Sequence, residues 1–177
     1  MTPAPSSSPS FREDPELDLF LERLVDVPVD LVWKAWTTPE HLKPWFAPKP
    51  IETVECEIDL RPGGIFRTVM RDPEGTLYPN VGCYLEIESP HRLVWTTALG
   101  PGYRPLPDPV GAPRAGTELR FTAELTFEPV GDSTRYSVRA IHATREVAAI
   151  HDEMGFSSGW STAVDQLVDH MAAVAGR

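Results

Sequence analysis

A chain of 177 residues is close to the usual size of one domain and can bury roughly two-thirds of its unfolded surface in a single core. Its 41% apolar and 24% charged residues are ordinary for a globular protein, and no apolar run approaches the ~18 residues of a membrane span. Sixteen basic against 26 acidic residues give a formal charge of -10, a field that repels phosphate backbones and anionic headgroups and argues against nucleic acid or membrane as partners.

Residues 1–12, beginning "MTPAPSSSPS", hold neither a basic leader nor an apolar stretch, so they are expected to form a disordered tail. One domain over 13–177 and a cytoplasmic location are the matching expectations. In "ELDLFLERLV" (16–25), Leu17, Leu19 and Leu21 alternate with charged neighbours, which predicts a half-buried strand. "DVPVDLVWKAW" follows, with Asp26 as a candidate cap, Pro28 in the first turn and Val29, Val32, Trp33 and Trp36 at helical spacing. "TTPEHLKPWF" predicts a second short helix, capped by Thr38, opened by Pro39 and limited by Pro44.

From Ile51 the period becomes two, with Val54, Cys56 and Ile58 on one face of a strand that ends at the turn "RPGG". Five more strands are predicted at 65–71, 79–89, 91–99, 117–129 and 133–143, a meandering antiparallel sheet. Cys56 and Cys83, the only cysteines, sit inside apolar alternations and suit small packed thiols better than a disulfide or metal site. "GPGYRPLPDPVGAPRAG" (100–116) holds five prolines and four glycines, too long for a hairpin turn, and is either a lid or an insertion. Phe156, Trp160, Val164, Leu167, Val168, Met171 and Val174 form one apolar stripe of a long last helix, which Ser157 or Ser158 could cap. The order of elements predicts an α+β architecture, with helices on one face of an antiparallel sheet.

Four stretches now carry a resemblance: "VPVDLVWKAWTTPEHLKPWFAP", "IDLRPGGIFRTVM", "HRLVWTT" and "HDEMGFSSGWSTAVDQLVDHM". In this order they resemble the homologues of the heat-shock protein 90 ATPase activator, within the START-like (SRPBCC) superfamily. The resemblance implies a helix-grip fold, a curved antiparallel sheet of seven strands around the long C-terminal helix, with the two short helices after the first strand. It also implies an internal cavity for apolar small molecules between these elements. The chain departs from the pattern in its Pro-rich 100–116 loop, and it shows no counterpart of the extra N-terminal domain of the eukaryotic co-chaperone.

Within that pattern, Trp36, Trp45 and Phe46 either pin the short helices onto the sheet or wall the cavity, Trp45 and Phe46 standing at its entrance after Pro44. Trp33 is expected to pack. Alternation places Phe66, Thr68 and Met70 on one face, as it does Leu93, Trp95 and Thr97, and Tyr136, Val138, Ala140 and His142. Tyr84 and Tyr136 could each offer a polar handle in an apolar wall. Met154, Phe156 and Trp160, at the start of the last helix, would face the cavity mouth. A solid core would use the same residues, so the pattern alone does not separate wall from packing.

"GFSSG" (155–159) fits the G-x-S-x-G of a hydrolase elbow, but no strand leads into it. Its nearest downstream histidine, His170, would lie roughly 20 Å from Ser157 along one helix. The five histidines form no zinc signature, and no metal or other cofactor is expected. His142, on an inward face, is either a satisfied core imidazole or a donor to a ligand. Glu86 and Glu124 read as solvated, unless one is buried and serves as a base. The leading expectation is a binding protein that sequesters or carries an aromatic or polycyclic molecule, with no catalytic residues assigned. A co-chaperone-like module and a cyclase- or hydratase-type enzyme are the alternatives. A homodimer through a sheet edge or helix face is a further possibility.

Overall fold

The computed structural model describes residues 13–107 and 119–176. The expected tail over 1–12, and the part of the 100–116 loop beyond residue 107, lie outside the described residues.

Strand β1 (Asp18–Val25) leads into helix α1 (Val29–Thr37) and the single turn α2 (Pro39–Leu42). Strands β2 (Glu52–Ile58), β3 (Ile65–Arg71), β4 (Leu77–Glu88) and β5 (Arg92–Thr96) then meander. A two-residue pair, β6 (Leu99–Gly100) with β7 (Arg104–Pro105), stands where the Pro-rich loop begins. Strands β8 (Phe121–Val130) and β9 (Ser133–His142) are followed by helices α3 (Arg145–Glu153) and α4 (Phe156–Ala175). The seven long strands form one antiparallel sheet in the order β1-β9-β8-β5-β4-β3-β2. This is the expected α+β helix-grip arrangement.

Register sets which side chains face the helices. Leu21 opposes Val138, Val138 opposes Leu125, and Leu125 opposes Leu93, so one inner row crosses four strands. Above this row α4 lays Val164, Leu167 and Met171, all fully buried, and α1 adds Val32, Ala35 and Trp36. Each such aliphatic side chain contributes up to about 1.5–3 kcal/mol by leaving water. Arg23 of β1 ties the sheet edge to α4 through Asp165 at 2.7 Å and the Ser161 carbonyl at 3.1 Å.

Two bulges bend the far half of the sheet, between Thr53 and Glu55 and between Tyr84 and Glu86. An extra residue on one strand raises its local twist and curls the sheet toward the helices. Cys56 and Ile58 pack against the core as expected, but at the first bulge Val54 is the displaced residue and Thr53, opposite Met70, is buried instead. "RPGG" is the tight β2–β3 turn, since a Cβ on Gly64 would stand 2.0 Å from the Asp59 carbonyl oxygen.

Three local expectations are corrected. The residue before α1 is Pro28, and Asp26 instead accepts a hydrogen bond from Ser133 Oγ at 3.3 Å. Thr38 does precede α2 but makes no side-chain cap. The long C-terminal helix is entered through left-handed Gly155, not through Ser157 or Ser158, and it is preceded by α3, a helix absent from the sequence reading.

Candidate functional site

Pro44 ends the α2 turn, and the chain from Trp45 to Ile51 runs along the flank of α4. Gln166 of α4 holds it there: its Nε2 donates to the Trp45 and Ala47 carbonyls, both at 2.8 Å, and its Oε1 accepts from Lys49 N at 3.0 Å. Trp45 is fully buried and its indole N–H reaches the Ala35 carbonyl at 3.3 Å. Across from this segment, β3 presents Phe66, Thr68 and Met70, the expected inward set. Gly155, at a φ of +91°, turns α3 into α4 and brings His151, Met154, Phe156 and Trp160 to the same place.

These pieces enclose a pocket of about 330 Å³. Its wall is mainly apolar: Trp45, Phe46, Ile51, Phe66, Met70, Trp95, Phe121, Phe156 and Trp160, with His151, Asn80, Thr68 and Thr97 as polar side chains. The rings touch in a closed circuit. From Trp160 it passes to Trp36 (5.9 Å between centroids), Phe46 (5.8 Å), Phe66 (5.8 Å), Trp95 (5.0 Å) and Phe121 (5.5 Å). It returns through His151 (4.8 Å), Phe156 (5.3 Å) and back to Trp160 (6.1 Å). Most contacts are edge-to-face, the arrangement that opposes the negative ring face to a positive edge. A wall in which each ring braces the next is stiff, and it stays open where a loose core would collapse.

The one titratable pair at the pocket is His142 and His151. His142 Nδ1 lies 2.8 Å from the Leu17 carbonyl, and its Nε2 lies 2.9 Å from His151 Nδ1. Burial pulls the His142 pKa below the ordinary histidine value, against smaller opposing effects of the Leu17 carbonyl and Asp18. Burial, and then the neighbouring His142, pull His151 down to about 4. Both rings are therefore neutral at physiological pH.

Of the residues singled out from sequence, Trp45, Phe46, Phe66, Met70, Trp95, Met154, Phe156 and Trp160 line the pocket. Trp36, Tyr84 and Tyr136 are fully buried outside its lining, one layer deeper. The Tyr84 and Tyr136 hydroxyls have no hydrogen-bond partner among the described residues, although the Trp36 indole N–H lies close enough to Tyr136 to act on its phenol electrostatically. Burial accordingly raises both phenol pKa values far above the ordinary one. His142 stands behind His151. The carboxylates weighed as bases are on the outer face, where Glu86 and Glu124 both pair with Arg92 at 2.9 Å. Ser157 is exposed on α4 with a helix, not a strand, before it. Both thiols are free; burial pushes that of Cys56 up to about 11. Among the described residues no three metal-ligating side chains come together.

Sequence reasoning missed His151, Phe121 and Gln166. Phe121 carried a signal, since it pairs with His142 at the end of a strand whose face was already assigned. Gln166 carried none, because its partners lie 117 to 121 residues away in the chain, and His151 carried none because it stands on α3, a helix absent from the sequence reading.

A curved sheet gripping a long helix, with an aromatic pocket between them, defines a START-like protein. The model of the family described as "Activator of Hsp90 ATPase homolog 1-like protein" matches residues 26–172, and the chain belongs to that family. A solved structure from Nitrosomonas europaea is similar at 44% identity and a TM-score of 0.85, over 93% of this chain and 100% of that one. A protein from Rhodobacter sphaeroides (23% identity, TM-score 0.73, 89% and 94% covered) shares the fold. So does one from Arthrobacter aurescens (22%, 0.72, 92% and 90%). No curated protein matches the chain. No helix among the described residues is long and apolar enough to cross a membrane.

Proposed function

We propose that the protein binds an apolar aromatic small molecule in the pocket between β3, β5, β8 and the start of α4, and sequesters or carries it in the cytoplasm. The observation that supports this reading is about 330 Å³ of open space lined by aromatic rings that brace one another, with Trp36 bracing Phe46 and Trp160 from behind. Protein interiors pack to a density of about 0.75, and space of this size walled by mutually braced rings is where ligands of drug-like size bind. That volume is at the small end of such sites, which favours two or three fused rings over larger polycycles.

The test is native mass spectrometry of the purified protein, with tryptophan fluorescence during titration with apolar aromatic compounds. A co-purifying mass or saturable quenching is expected. An empty protein whose tryptophans ignore every compound would refute the reading.

The family's description favours a second one, a module that stimulates a chaperone ATPase. It predicts faster ATP hydrolysis when the protein is mixed with that chaperone; rates that merely add would exclude it. The open pocket supports the first, since an adaptor surface needs no space inside.

A further inference from the structure

Among the described residues the pocket is lined by one imidazole, His151, and its hydrogen bonds hold it in one tautomer. The Leu17 carbonyl can only accept a hydrogen bond. It takes a hydrogen bond from His142 Nδ1 at 2.8 Å, so His142 carries its proton there. A neutral ring protonated at Nδ1 has a lone pair at Nε2, and His151 Nδ1, 2.9 Å away, must then be the donor. His151 is thereby left with an unprotonated Nε2, to which no described residue hydrogen-bonds, on a residue that lines the pocket.

Resting on the small-molecule reading above, we propose that His151 Nε2 is the specificity-determining acceptor of this pocket, and that its ligand is an aromatic compound bearing a neutral hydroxyl donor, a phenol or naphthol. The His142 ring is the positioning residue, acting only through the proton it makes His151 place. Of the other polar side chains of the wall, Thr97 is committed within the protein, whereas Asn80 Oδ1 and Thr68 Oγ1 also offer acceptor lone pairs, from which the His151→Phe comparison separates His151. Thr97 Oγ1 already donates to the Leu119 carbonyl at 2.6 Å and accepts from Phe121 N at 3.1 Å. Asn80 Nδ2 donates to the Tyr78 carbonyl at 3.3 Å. Burial keeps both imidazoles neutral near pH 7, so the lone pair persists under ordinary conditions. A ligand that offered only an acceptor there would face a lone pair against a lone pair, at the cost of an unmade buried hydrogen bond.

The experiment is calorimetric titration of the full chain at neutral pH with naphthalene, 2-methoxynaphthalene and 2-naphthol, on the unaltered protein and on His151→Phe. Phenylalanine is apt because the native ring already packs between Phe121 and Phe156. The expectation is that 2-naphthol binds about five- to tenfold more tightly than either analogue, and that His151→Phe abolishes the preference while still binding naphthalene. Equal affinities, or a preference that survives His151→Phe, would overturn the acceptor and leave the pocket reading intact. Binding of none of the three would overturn the proposal, and the pocket reading falls with it only if the protein also ignores every other aromatic compound. Nitrogen-15 NMR of the histidine rings tests the same claim without a variant. His142 and His151 are expected in the Nδ1–H form, and an Nε2–H signal at His151 would overturn it.

Discussion

The Tyr84 hydroxyl is buried with no hydrogen-bond partner among the described residues, an arrangement that costs about 1–3 kcal/mol relative to a satisfied group. Tyr84→Phe removes the polar atom and keeps the ring, so stability should hold or rise by up to ~1.5 kcal/mol, read as the midpoint of urea unfolding. A loss above ~1 kcal/mol would show that the hydroxyl is satisfied after all. His151 supplies a pH dependence. Its pKa drops from 6.5 to about 4 on folding, so below pH 6.5 the unfolded chain takes up a proton that the folded one refuses. Stability is then full above 6.5, falls as pH drops toward 4, and levels off below, a loss of a few kcal/mol at most. His142, whose pKa is lowered too, adds a loss of the same sign, and Asp18 beside it reduces that addition. Melting His151→Phe beside the unaltered chain at pH 7 and pH 5 isolates the effect: the variant should lose less stability between the two. At this scale alternation along a strand told which way Tyr136 and Phe66 point, but neither it nor the singling out of Tyr84 told how deep each ring sits. Depth depends on what covers the strand, which is why Phe66 reached the wall and the two tyrosines stayed beneath it.

The turn between α3 and α4 shows why elements are harder to read than faces. "TREVAAIHDE" offers only Val147, Ala148, Ala149 and Ile150 to a core, four consecutive apolar residues with no helical spacing, and only Ala148 is buried in the helix. Its Thr144 cap, accepting from Val147 N at 3.3 Å, was the available signal. The two glycines of "GFSSG" should respond oppositely to alanine. Gly155 has a φ of +91°, where an L side chain costs about 1–2 kcal/mol, and its Cβ would also stand 2.8 Å from Ser158 Oγ. Gly159 lies within α4 with nothing within 4 Å of an added Cβ, so Gly159→Ala should stabilise by about 0.5–1 kcal/mol. Thermal melts of the two variants check the signs, and two changes of the same sign would contradict this account of the junction. Gln166 is a second element-scale case. Replacing it by alanine strips partners from two carbonyls and one amide of the 45–49 segment, and should cost about 1–3 kcal/mol. It should also raise amide hydrogen exchange at Lys49; unchanged exchange there would mean the segment is held by Trp45 and Ala47 alone.

Over the whole molecule, the sheet and its grip on α4 were legible because both rest on periodicities that one sequence displays: two along the strands, and 3.6 in the stripe from Phe156 to Val174. The pocket was legible only as a set of candidate walls. Trp45, Phe66, Trp95 and Phe156 come from four separate elements, and whether they meet or leave a gap depends on sheet curvature, set by bulges at Thr53–Glu55 and Tyr84–Glu86 that no motif announces. The same dispersal has a thermodynamic consequence. A ligand in the pocket touches the 45–51 segment, the sheet and the α3–α4 turn at once, so it binds the folded chain and finds no such site in the unfolded one. At a free concentration one hundred times its Kd, such a ligand adds about 2.7 kcal/mol. For a chain of this length that should raise Tm by about 5–11 °C. Differential scanning calorimetry with 2-naphthol, at a concentration set from its measured Kd, reads this directly. A compound that binds by titration yet leaves Tm unmoved would be binding the unfolded chain equally well, and the wall assembled from four elements would not be its site.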